Sequence, residues 1–158
     1  MKRFLIPSLL ILTLTLAACS VTPAPLPSDP APASASSGNS AAQFDSAMRT
    51  DGQGAIIFEI TPINLNAPTE TLEFDIVLTT HSIDLSMDLA TQATLTTDTG
   101  LTVQATLWDA PRGGHHVEGK LIFPATVDGK SIFDGATKLT LTIVNVDAPS
   151  RVFEWGVE

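Results

Sequence analysis

The stretch Thr71–Leu89, TLEFDIVLTTHSIDLSMDL, decides the fold. Its first half places Leu72, Phe74, Ile76 and Leu78 at every second position, with Glu73, Asp75 and Thr79 between them. Successive side chains of an extended backbone point to opposite sides, so this period marks a strand with one buried face. In the second half the apolar set is Ile83, Leu85, Met87 and Leu89, and the inward parity has moved from even to odd. A bulge, or a strand that leaves one sheet for another, produces such a flip. A bend is therefore predicted at Thr80-His81-Ser82, with the His81 side chain pointing outward.

The same period continues on both sides. Ile56, Phe58 and Ile60 alternate with Ile57 and Glu59, and Leu101, Val103, Ala105 and Leu107 alternate with Thr102, Gln104, Thr106 and Trp108. Val117, Leu121 and Phe123 form a further set, as do Leu139, Leu141 and Ile143, then Phe153, Trp155 and Val157. One more run covers Ile83 to Thr97. Turn-formers separate the runs: Asn66-Ala67-Pro68, Asp98-Thr99-Gly100, Arg112-Gly113-Gly114, Asp128-Gly129, Asp134-Gly135 and Asp147-Ala148-Pro149. Short strands at this spacing predict an all-β domain, an immunoglobulin-like β-sandwich of about seven strands over residues 51–158.

Upstream the chain changes character twice. Lys2 and Arg3 precede a nearly unbroken apolar run of 13 residues, Phe4 to Leu16. That is short of the roughly 20 a spanning helix needs and fits the apolar region of a signal peptide over residues 1–18. Leu16-Ala17-Ala18-Cys19 then resembles the bacterial lipobox. The resemblance implies a diacylglycerol on the Cys19 thiol, cleavage before it, and an extracytoplasmic protein lipid-anchored to the cell membrane or the outer membrane. Cys19 is the only cysteine, so no internal disulfide can form. From there to Thr50 the chain is rich in Pro, Ala and Ser, the composition of a disordered linker. Within it, SAAQFDSAM could form a turn or two of helix carrying Phe44 and Met48.

Without Lys2 and Arg3, 6 basic residues face 17 acidic ones, a formal net charge of −11. Nucleic acid and anionic headgroups repel such a chain, so lipid and not charge would hold it at a membrane.

Little else in the sequence carries chemistry. The three histidines are His81, His115 and His116, the last two in APRGGHHVEG (110–119). A three-histidine zinc or copper site is chemically open to them, with Asp84, Asp88, Asp109, Glu118 or Met87 as a fourth ligand. A blue-copper centre is excluded, because it needs a cysteine thiolate and Cys19 lies about 60 residues away from His81. The plainer alternative has His81 and His116 bonded to turn carbonyls and His115, inward by parity, packed near Trp108. No G-x-S-x-G elbow, P-loop or H-E-x-x-H motif occurs, and no enzyme activity is expected.

THSIDLSMDLATQATLTTDTG (80–100), TLWDAPRGGHH (106–116) and LTLTIVNVDAPSRVFEW (139–155) together resemble an uncharacterised group of small exported bacterial β-domains. That resemblance implies no activity. The expectation is a membrane-anchored, non-enzymatic binding module for an envelope protein partner. Its alternative is a structural accessory domain of the envelope without ligand.

Overall fold

The computed structural model describes residues 43–156. The expected signal peptide, Cys19 and most of the expected linker lie outside the described residues.

The described chain is all-β, with one 3₁₀ turn at Leu89–Thr91. Its strands are β1 (Arg49–Asp51), β2 (Ile56–Pro62), β3 (Thr71–Thr80), β4 (Ala93–Thr97), β5 (Thr102–Gln104) and β6 (Leu107–Asp109). They continue with β7 (His116–Pro124), β8 (Thr126–Val127), β9 (Lys130–Ser131), β10 (Lys138–Val144) and β11 (Ser150–Gly156). All pairings are antiparallel. One sheet has the order β1-β2-β3-β7-β6, the other β11-β10-β4-β5, and β8-β9 form a small ribbon. The result is β-sandwich-like.

The alternation read from the sequence sets the core. Ile56, Phe58, Ile60, Leu72, Phe74, Ile76 and Leu78 of the first sheet are fully buried, as are Leu139, Leu141, Ile143 and Trp155 of the second. Rings meet between the sheets, Phe74 against Trp155 at 5.4 Å between centroids and Phe58 against Phe153 at 6.4 Å. Each such side chain contributes about 1.5–3 kcal/mol on burial. β7 approaches β6 so closely at Gly119 that a Cβ there would lie 2.3 Å from the Ala110 Cβ and 2.6 Å from the Asp109 carbonyl oxygen. Only glycine fits.

Four expectations need correction. The run Leu101–Leu107 is not one strand. Ala105 N–H donates to Ala93 of the second sheet (3.0 Å) and Thr106 N–H to Ile122 of the first (2.8 Å), so the chain changes sheets between them. The crossing reverses parity, leaving Leu107 48% exposed and burying Trp108. Of the run Ile83–Thr97 only Ala93–Thr97 is strand; the preceding loop nevertheless buries Leu85 and Leu89. The segment around Phe44 is not helical. Finally, the expected boundary at Asp51 falls inside β1: Phe44 is already buried and tilts against Phe133 at 5.1 Å.

That N-terminal segment closes one seam between the sheets. Its backbone pairs with β2, Arg49 opposite Ile60 and Asp51 opposite Phe58. Its odd-numbered residues reach β11. Asp45 N–H donates to the Gly156 carbonyl (2.8 Å), the Trp155 indole to the Ala47 carbonyl (2.9 Å), and Arg49 Nε to the Glu154 carbonyl (2.9 Å). Asp51 pairs with Arg151, which is wholly buried, and the Gln53 side chain donates to Ser150 (3.3 Å).

Candidate functional site

β3 separates two ends of the molecule by about 30 Å, the span of its ten residues. The described chain enters at one end, beside the β2–β3 and β9–β10 connections. The β3–β4, β6–β7 and β10–β11 connections lie at the other, and all three histidines are there.

Two of these loops are bonded to each other. Leu85 N–H donates to the Gly114 carbonyl and Gly113 N–H to the Leu85 carbonyl, each at 3.0 Å. Asp84 Oδ1 accepts from Gly114 N–H at 2.8 Å. Gly113 and Gly114 have φ of 88° and 94°, a region L side chains rarely adopt. At Gly113 a Cβ would also meet Asp84 Oδ1 at 3.0 Å. The glycine pair is therefore what lets the chain turn into β7 against the neighbouring loop. The third loop joins through Val144 N–H to the Gln92 carbonyl (3.0 Å) and the Gln92 side chain to the Asn145 carbonyl (3.3 Å).

The same geometry presents the imidazoles. His81 is exposed at the predicted bend, and Thr80 N–H donates to the His115 carbonyl at 2.9 Å, so His81 and His115 lie on adjoining backbone. His116 stands opposite Thr79, its Nδ1 sharing a 3.1 Å hydrogen bond with the Thr79 hydroxyl. His115, expected inward, is exposed. It precedes β7 and follows the positive-φ turn, so the strand's alternation does not govern it. Trp108 is not its neighbour: it pairs with Leu121, five residues along β7 from His116, about 16 Å away.

Of the acids considered as a fourth ligand, Asp84 and Asp88 are bonded elsewhere. Asp84 caps Gly114. Asp88 accepts from Ala90 N–H at 3.1 Å and pairs with Arg112 at 3.2 Å. Asp109 lies opposite Lys120, whose pKa is raised first by its hydrogen bond to Glu73, then by the charges of Glu73, Asp75 and Asp109. Glu118 faces solvent two residues beyond His116, and Met87 packs against the core. Among the described residues no group of three or more His, Cys, Asp or Glu is assembled to hold a metal.

A cavity of about 680 Å³ opens at the entry end, between Phe44, Leu65, Asn66, Pro68, Phe133 and Thr137. None of its described lining side chains is charged, and the Asn66 amide is already bonded to both backbone groups of Phe44, at 2.7 and 2.8 Å. It offers shape without much chemistry. Sequence reasoning also passed over Arg151, which sits at the inward parity of β11 beside Phe153 and Trp155; an arginine at such a position demands a buried partner.

No protein-family model matches the chain, and neither a curated protein nor a solved structure matches it.

Proposed function

We propose that the chain is a lipid-anchored, extracytoplasmic binding module without catalytic activity. Cys19 carries the lipid, the segment that follows is the tether, and an immunoglobulin-like sandwich presents its loop end to an envelope protein partner. Strand order supports the immunoglobulin-like assignment. Counting β2 to β7, β10 and β11 as A, B, C, C′, D, E, F and G gives sheets A-B-E-D and G-F-C-C′.

One observation carries the binding role. The described chain enters at one end, while at the other the β3–β4 connection is bonded to both the β6–β7 and the β10–β11 connections and His81, His115 and His116 are exposed. A module tethered at its entry end holds those loops away from the membrane. Zinc or copper at the three histidines is a narrower version of the same reading, in which metal joins module to partner. Nucleic acid is not a partner, given the acidic balance.

Photo-crosslinkers placed in cells at His115 and, as a control, at Asp134 test the display. Adducts to an envelope protein from His115 alone are expected; adducts from Asp134 alone would reverse the orientation. Labelled fatty acid should enter the wild type and not Cys19→Ser, and equal labelling of both would remove the anchor. For the metal, zinc or copper should raise Tm by mass action on the native state, and this gain should disappear in His81→Ala. Equal stabilisation of wild type and the His81/His115/His116 triple-alanine variant would remove the metal.

A further inference from the structure

We propose that the segment from Phe44 to Gln53 is a mechanical clamp that carries tension between the tether and the loop end. The inference rests on the reading above for which end is held and which is pulled. A module anchored at its entry end and bound at the far end is stretched along β2 and β3. The clamp lies parallel to that axis, running from Phe44 at the entry end to Gln53 at the loop end.

Its attachments are spread along the whole length and lie across the axis. Asn66 holds both backbone groups of Phe44 at the entry end. Then come the Asp45–Gly156 bond, the Trp155 indole on Ala47, Arg49 on the Glu154 carbonyl and Arg151 on Asp51. Gln53 is held last: its carbonyl accepts from Arg151 and its amide donates to Ser150. Along the other side the β1–β2 ladder adds its own bonds. The Arg49 guanidinium also lies 5.7 Å from the Trp155 ring and pairs with Asp45.

Pulled along its own axis, a segment bonded in this way loads all its attachments together, and they must fail together. Pulled sideways at its first residue, it loads them one at a time. Because β11 runs antiparallel to the clamp, a handle at the entry end on another element peels it from Phe44 onward. The two directions therefore differ in strength while the folded state, and its stability, are the same. Forced unfolding follows the unfolding rate and not the equilibrium, so pulling direction reads the clamp where a melting curve cannot.

The test is single-molecule pulling on residues 19–158 made without lipid, so that the Cys19 thiol is one handle. A second thiol is introduced as Ser82→Cys at the loop end or as Asp134→Cys at the entry end; both positions are exposed. Unfolding force between Cys19 and position 82 should be severalfold that between Cys19 and position 134. Arg49→Ala with Gln53→Ala should lower the first force and leave the second nearly unchanged. Gln53→Ala alone serves if the double variant does not fold. Equal forces in the two directions overturn the proposal. So does a variant that lowers both in proportion, the signature of a segment that only adds stability. Failure of the anchor itself appears separately, as absence of label on Cys19 while the directional difference persists.

Discussion

Replacing Asp51 by asparagine removes one charge and almost no volume, and its cost follows from Arg151. That side chain is 0% exposed. Its guanidinium pairs with Asp51, donates through Nε to the Val146 carbonyl (3.2 Å) and through Nη2 to Gln53, and lies 4.5 Å from the Phe58 ring. Removing one partner of a buried ion pair costs about 3–5 kcal/mol. Two features reduce this: Asp51 keeps 18% of its side chain in solvent, and two carbonyls still accept from Arg151. The expected loss is about 2–3 kcal/mol at neutral pH, a fall in Tm of roughly 10 °C. The pH dependence is sharper. Burial is the largest single influence on Asp51 and acts to raise its pKa. The Gln53 donors and Arg151 together outweigh it, so the net shift is downward. A carboxyl with a depressed folded pKa contributes stability that is fully present above its unfolded value of about 3.9 and is lost as pH falls through the folded value. The gap between wild type and Asp51→Asn should hold between about pH 7 and 5 and shrink in acid as pH falls through the depressed folded pKa, where the Asp51 carboxyl is neutralised. Urea unfolding followed by tryptophan fluorescence at each pH measures it. A gap of the same size in acid would refute the reasoning, because it would then owe nothing to charge.

The parity reversal at the sheet crossing makes an unequal pair: Trp108→Ala should cost about 3–5 kcal/mol, whereas Leu107→Ser should stay within about 0.5 kcal/mol, both read from denaturant midpoints. Gly119→Ala should destabilise by at least about 1–3 kcal/mol, since β6 must move off β7 to admit the methyl group; unchanged urea unfolding would contradict the close approach. Limited proteolysis should leave a fragment that retains Phe44, because the backbone from there on is bonded and packed; a stable product beginning at Asp51, identified by mass, would argue against the clamp.

What was legible in the sequence was whatever depends on neighbours in the chain. Leu72 to Leu78 alternate because one sheet face is dry, and Asp128-Gly129 turns because its residues accept positive φ. The flip at His81 was likewise local, and the bend is where the parity placed it. Leu107 and Trp108 were misassigned because a period of two cannot tell which of two sheets a strand belongs to. His115 was misassigned because Gly113 and Gly114 take the chain out of extended geometry just before it. The seam at Asp45–Gln53 was illegible for another reason: its polar side chains look like linker until their partners, about 100 residues later, are known. One signal was available, the arginine at an inward position of β11. Of the candidate site, the exposed bend at His81 could be read, but not the engagement of Asp84 and Asp88 by loop backbone.

The closure of that seam also sets the order in which the molecule can be finished. Arg49 waits for Glu154, 105 positions downstream, and Ala47 waits for Trp155, 108 positions downstream. Synthesis runs from the N-terminus, so the first segment of the domain can pair with β2 early but lacks its partners on β11 until that strand has been made. Contacts this distant form late and slowly. A chain stopped a few residues short of β11 would leave the second sheet without its edge, Asp51 without Arg151 and Phe58 without its cover. Such a chain would expose apolar surface to proteases, whereas one that includes β11 hides it. The fold thus separates a domain that has β11 from one that lacks it, because β11 is what secures β1.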